Sequence, residues 1–273
     1  MHRNRVIVAA IFLPLFVLLI KFLPAWVFIL LVLGGILAAQ TEFYRMCFSN
    51  GNRRLILTGL FGSTVIWGGF VFGNPGVNLG LLTAAVLCFL IICLWAFKDL
   101  SRVLPEGALG LLGVMYVGWL LSHLVLLREF PGGENIILFL FLVNWTGDSG
   151  AYYVGKGLGR NKLAPRISPN KTIEGAFGGV AASLAAAWLG QSLLLPFLSL
   201  NDVVILGLAM GVLGILGDLT ESVFKRSAGV KDSGGLIPAH GGILDKLDGL
   251  IFNAPVLYYY FSWFLGLGKD YWV

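Results

Sequence analysis

The chain has 273 residues, 58% of them hydrophobic and only 12% charged, with a formal net charge of +5 and a mean hydropathy of +0.87. These values exclude an ordinary soluble domain, so the solvent of this chain is lipid. The excess positive charge sits in short loops beside apolar runs, where anionic lipid headgroups are nearer partners than nucleic acid.

A hydrocarbon core of ~30 Å needs about 20 apolar residues per helix. Hydropathy marks candidate spans at 6–23, 25–40, 54–73, 78–97, 107–127, 135–155, 173–195, 202–220 and 246–267. The expected fold is therefore an all-α polytopic bundle of about nine transmembrane helices. The first run follows Arg3 and Arg5 as a signal peptide would, but it is long, lacks a small-residue cleavage pattern and is read as a retained helix. With the N-terminus cytoplasmic, only Lys21, Arg128 and Lys269 of the 19 Lys and Arg fall outside, and the C-terminus lies outside as well. Cys47, Cys88 and Cys93 lie in or beside apolar runs without metal-ligand spacing, and read as packing residues.

The two halves differ in kind. Residues 1–134 read as scaffold helices with ordinary short loops, whereas 135–273 gather acids and bases at membrane boundaries around two cytoplasmic loops, 155–172 and 226–245. Chemistry belongs to the second half. In its first cluster Asp148 and Tyr152 stand at i, i+4 near the end of a span, where an acid is either functional or paired. Thr172 is placed to cap the next helix, and Glu174 lies in its first turn, where a helix-end charge is itself favourable.

Farther on, helical spacing puts Asp218, Glu221, Ser222 and Lys225 on one face of an otherwise apolar span. A carboxylate at such depth costs roughly 2.5–3.5 kcal/mol unless paired, hydrated or bound to a cation. An internal ion pair with Lys225 would explain the charges. Asp245 and Asp248, however, share a face of the entering last helix, so two acidic helix ends meet at one boundary. Converging carboxylates favour a hard divalent cation, and Mg2+, which takes one or two carboxylates plus substrate phosphates, is the natural occupant. Between them the glycine-rich run 227–242 can cradle phosphate beside Lys225, Arg226 and Lys231. His240 there is either a substrate contact or a loop-shaping hydrogen-bond partner.

The run Ser222-Val223-Phe224-Lys225-Arg226, then Lys231-Asp232, then Pro238 to Asp245, closing at Asp248, resembles the signature of phosphatidate cytidylyltransferases. Upstream runs at 148–156 and 168–175 resemble that family's too, in the same order, so the likeness covers the second half. Where the family pattern usually carries Arg between the last two acids, this chain has Lys246, which keeps the charge without the planar fork.

The resemblance implies a magnesium-dependent enzyme at the cytoplasmic face of a bacterial inner membrane. It would join CTP to phosphatidic acid, giving CDP-diacylglycerol and pyrophosphate. It further implies that Asp218, Asp245 and Asp248 hold Mg2+, that Lys225 acts with them in catalysis, and that Arg226, Lys231 and Lys246 bind phosphates. Ser222, Asp232, His240, Gly241, Gly242, Asp148, Tyr152, Ser168, Lys171 and Glu174 complete the implied substrate-binding set. The first half would be scaffold, a wall for lipid access or a homodimer surface.

Two rivals stand beside this reading. A CTP-dependent lipid kinase would release CDP instead of pyrophosphate. An ion or phosphate transporter would line a pathway with these acids, and internal repeat symmetry, which would favour it, is not visible.

Overall fold

The computed structural model describes residues 14–48, 53–96, 99–234 and 241–267. The expectations placed on Arg3, Arg5, Lys98, His240 and Lys269 lie outside the described residues. Helix α1 covers residues 14–22 of the described chain, and Pro24 separates it from α2 (Ala25–Cys47). Then come α3 (Arg53–Phe72) and α4 (Pro75–Ala96). A short 3-10 turn, capped by the Asp99 carboxylate accepting from Ser101 N–H at 3.0 Å, leads into α5 (Val103–Gly113) and α6 (Leu120–Glu129). A π-helical segment, Val114–Trp119, joins those two within one apolar rod. The second half holds α7 (Gly133–Leu158), α8 (Ile173–Leu193), α9 (Leu200–Ser227) and α10 (Leu244–Trp263).

Six of these rods are long and apolar enough to cross a membrane: α2, α3, α4, the α5–α6 unit, α8 and α9. Helices α7 and α10 fall short because they carry polar residues, Asn144, Asp148 and Lys156 on one and Asp245, Lys246, Asp248 and Asn253 on the other.

The chain is mostly helical, as expected, and differs from the expectation in one segment. The segment expected as a long loop holds an antiparallel hairpin, β1 (Lys162–Ala164) and β2 (Ser168–Thr172), with Lys162 opposite Thr172 and Ala164 opposite Ser168. Proline explains it. Ala164 precedes Pro165 and Ser168 precedes Pro169, and a residue before proline is pushed out of the helical region into extended backbone. Ile167 N–H then donates to Ala164 O at 3.1 Å and closes the turn.

Helix ends are set by local chemistry. Thr172 caps α8 as the sequence predicts, its hydroxyl accepting from Gly175 N–H at 3.1 Å. Ser199 and Asp202 form a capping box at the start of α9. At its far end Gly229 adopts φ 72°, Gly229 N–H donates to Arg226 O and Val230 N–H to Lys225 O. That is a Schellman stop, which lets α9 run seven residues past the expected boundary at 220 and keeps Glu221, Ser222 and Lys225 helical.

Small residues bring the second-half helices together. A Cβ on Gly150 would lie 2.4 Å from Ala182 Cβ, and one on Gly178 would lie 2.4 Å from Val154 Cβ, so α7 and α8 pack nearly backbone to backbone. A Cβ on Gly217 would sit 2.4 Å from Asp248 O, and one on Gly249 would sit 2.6 Å from Asn144 Oδ1. These close approaches draw α9, α10 and α7 around one point, where the acids meet.

Candidate active site

A cavity of about 560 Å³ opens between the C-terminal half of α7, the hairpin, the first half of α8, the last half of α9 and the first turn of α10. Its wall includes the carboxylates of Asp148, Asp218, Glu221, Asp245 and Asp248 and the ammonium groups of Lys156, Lys171 and Lys225. Five negative groups thus face three positive ones among the described lining residues.

Two of those bases are already committed. Lys171, delivered by β2, pairs with Asp218 Oδ2 at 2.6 Å. Lys225 lies between Glu221 Oε2 at 2.7 Å and Asp245 Oδ1 at 2.6 Å. Lys156 stands over the Tyr152 ring, 5.8 Å from its centroid.

The carboxylate oxygens of Asp218, Glu221 and Asp248 lie within 4.8 Å of one another. Glu221 is only 1% exposed, and its Oε1 has no hydrogen-bond partner. Three hard oxygen donors this close, one with an unsatisfied buried oxygen, suit a hard divalent cation and not a soft one. The residues present therefore fit a metal.

The membership of that triad differs from the sequence expectation. Asp245, expected as a ligand, is held by Lys225, by Ser233 Oγ at 3.0 Å and by Gly242 N–H at 2.7 Å. Its oxygens anchor the loop that precedes α10. Glu221, expected to share a face with Lys225, occupies the third corner.

Of the expected substrate-binding residues, Asp148, Tyr152 and Lys171 line the cavity. Ser222 is buried and donates to Asp218 Oδ1 at 3.4 Å. Gly242 serves Asp245, and Gly241, at φ 83°, makes the turn beside it. Ser168 pairs within the hairpin. Arg226, expected on phosphate, donates instead to Ile167 O and Val230 O, both at 3.1 Å, and so ties the hairpin turn to the end of α9. Glu174 accepts from Arg160 N–H, Asn161 N–H and the Asn161 side-chain amide, which fixes the turn before β1. Lys231, Asp232 and Lys246 are exposed.

Two residues escape the sequence reading. Asn144 Nδ2 donates to Asp148 Oδ2 at 3.4 Å while its Oδ1 accepts from Asn253 at 2.8 Å, a clamp between α7 and α10 behind the acids. Glu42, on α2, is buried and accepts from Ser233 Oγ at 3.2 Å and Leu244 N–H at 2.9 Å. It thereby serves the first turn of α10 from the other half of the chain. An acid in an apolar neighbourhood was the available signal, but the predicted span ended at 40 and left Glu42 in a loop.

Glu42→Ala would strand the buried Leu244 N–H at about 1–3 kcal/mol, while Ser233 Oγ would keep Asp245 as its acceptor. The expected result is a lower melting midpoint in detergent and faster proteolysis within residues 228–243, with Glu42→Gln milder because it keeps an acceptor. An unchanged digestion pattern in Glu42→Ala would show that the loop holds without it.

A family model described as cytidylyltransferase family matches residues 3–264. A phosphatidate cytidylyltransferase of Synechocystis sp. is 39% identical over 207 residues, covering 66% of this chain and 69% of that protein. One of Bacillus subtilis is 36% identical over 220 residues, covering 76% and 80%, and one of Brucella suis is 47% identical over 147 residues, covering 54% of each. With a match over nearly its whole length and the acids of its second half gathered at one cavity, the chain belongs to the cytidylyltransferase family.

Proposed function

We propose that the chain is a phosphatidate cytidylyltransferase that makes CDP-diacylglycerol and pyrophosphate from CTP and phosphatidic acid. The observation that carries this is the cavity itself, an acid-and-lysine pocket among apolar helices, in a chain whose relatives bear that activity in their names. A phosphate oxygen of phosphatidic acid attacks the α-phosphorus of CTP, and the bond from that phosphorus to the bridging oxygen breaks as pyrophosphate leaves. The attacking phosphate is already anionic near neutral pH, so no side chain is required as a base.

Asp218, Glu221 and Asp248 would hold Mg2+, which when bound supplies positive charge to neutralise the phosphates. Lys171 and Lys156 face the same space and attract the phosphate oxygens. Lys225 keeps Glu221 and Asp245 in place, and Asn144 orients Asp148.

The finer placement is also proposed: nine spans, N-terminus cytoplasmic, C-terminus outside, the catalytic region 135–273 facing the cytoplasm across a bacterial inner membrane. Support comes from the crowding of Lys and Arg at the pocket end of the bundle. At the other end Lys21 bonds to Asn135, and Arg128 pairs with Glu134 at 3.5 Å.

Pyrophosphate release by the purified chain in detergent tests the reading, with CTP, phosphatidic acid and Mg2+ each omitted in turn. Strict dependence on all three is expected. CDP without pyrophosphate would make the chain a kinase, and neither product would leave the acids to a transport role.

A further inference from the structure

Phosphatidic acid poses a geometric problem that the polar cavity does not solve. Its phosphate must reach Lys171 and the acids, but its acyl chains cannot be buried against five carboxylates. They need an apolar way out that begins at the cavity wall and ends in lipid.

Beside the cavity, between α8 and α9, runs a groove of about 380 Å³ lined by nine apolar side chains with no polar surface among them. Leu163 of β1 stands at its polar end. Ile173, Ala176, Phe177 and Val180 form one wall, and residues of α9 from Val212 to Leu219 form the other. Three of the nine, Leu163, Ala176 and Ile215, line the polar cavity as well. The two spaces therefore share a partition one side chain thick.

Helical periodicity produces this arrangement. On α9, Gly211, Gly214 and Asp218 face the cavity, while Val212, Leu216 and Leu219 face the groove, and Ile215 lies on the boundary. On α8, Gly175 and Gly179 face the cavity, Phe177 and Val180 the groove, with Ala176 between. The outer lip is open, since Phe177 is 73% exposed and Val212 and Leu216 nearly half so.

We propose that an acyl chain of the phosphatidic acid substrate leaves the active site through this α8–α9 groove, crossing Ala176 and Ile215, and that the groove sets the register of the lipid phosphate at the reacting centre. The proposal rests on the reaction proposed above. Lipid tails are as apolar as the groove, so transfer from bilayer to groove adds little affinity. Its effect is on positioning, and kcat/KM for long-chain lipid is where that effect is read.

Leu216→Trp and Val212→Trp fill the groove from its exposed lip without entering the packed interior. Each is expected to lower kcat/KM for dioleoyl-phosphatidic acid relative to the dihexanoyl lipid by about tenfold. Leu94→Trp, on the exposed face of α4, should leave that ratio alone. An equal ratio in all three variants would overturn the proposal.

Photolabelling with a phosphatidic acid carrying a diazirine in mid-chain gives an independent readout on the wild-type protein. Labels within 173–180 and 212–219, displaced by unlabelled lipid, are expected. Displaceable label only on other helices would overturn it while pyrophosphate release left the reaction standing. Groove labelling in a protein that releases no pyrophosphate would keep the lipid site and sink the reaction.

Discussion

Asp248→Asn and Asp218→Asn are each expected to lower pyrophosphate release by at least on the order of 10²–10³-fold, the loss typical of removing one preorganised electrostatic group. Neither should unfold the chain. Asparagine matches aspartate in shape, and its side-chain oxygen can still accept the Gly249 N–H that Asp248 Oδ1 now accepts at 2.8 Å. Asp218→Asn also frees Lys171 from its ion pair; each variant removes one carboxylate of the proposed metal triad, so the apparent Mg2+ requirement should rise in both.

Asp245→Asn supplies the contrast. Its carboxylate already accepts from Lys225, Ser233 and Gly242, so this variant should lose melting midpoint more than it shifts the Mg2+ requirement. A Mg2+ titration with thermal denaturation of these three variants and of Glu221→Gln separates the assignments. If Asp245→Asn shifted the metal requirement while Glu221→Gln did not, the triad of Asp218, Asp245 and Asp248 would be restored and Glu221 would revert to a partner of Lys225.

The sequence made the acids legible because charge is conspicuous in an apolar chain: Asp148, Asp218, Asp245 and Asp248 were all visible, and all line one cavity. It could not rank them. Asp218, Glu221 and Lys225 share a helical face whatever the tertiary fold, and only the crossing at Gly217 against Asp248 O decides that Glu221 and Asp248 approach each other while Asp245 turns to Ser233.

Long-range partners were hidden for the same reason. Glu42 reaches Leu244 across 202 positions, and Arg226 reaches Ile167 across 59. Periodicity reports which face a residue occupies, and nothing in it reports which element covers that face. The hairpin was missed although Pro165 and Pro169 were in plain view, because a proline-rich stretch between apolar spans reads as a loop unless its pairing partner is known.

Lys225→Met should be the most damaging single change for stability. Its ammonium group holds two carboxylates, and both Glu221 and Asp245 are largely withdrawn from solvent, at 1% and 14% side-chain exposure. Breaking a buried pair by removing one partner costs about 3–5 kcal/mol, because the charge left behind is uncompensated. Here one removal strands two charges next to a third at Asp248. Asp245 would also lose part of its hold on Ser233 and Gly242, and the loop ahead of α10 would loosen with it.

The expected result is a melting midpoint well below wild type in detergent, with lost turnover. Partial recovery is expected in Lys225→Met combined with Asp245→Asn and Glu221→Gln, which removes the stranded charges together with their partner. Lys225→Arg keeps the charge but replaces a compact ammonium by a planar fork between two carboxylates spaced for one nitrogen, so it should hold stability better than activity. Were Lys225→Met to melt like wild type yet fail to turn over, the ion pairs would be dispensable to the fold. Lys225 would then belong to the phosphate-binding set, acting on substrate directly and not through Glu221 and Asp245.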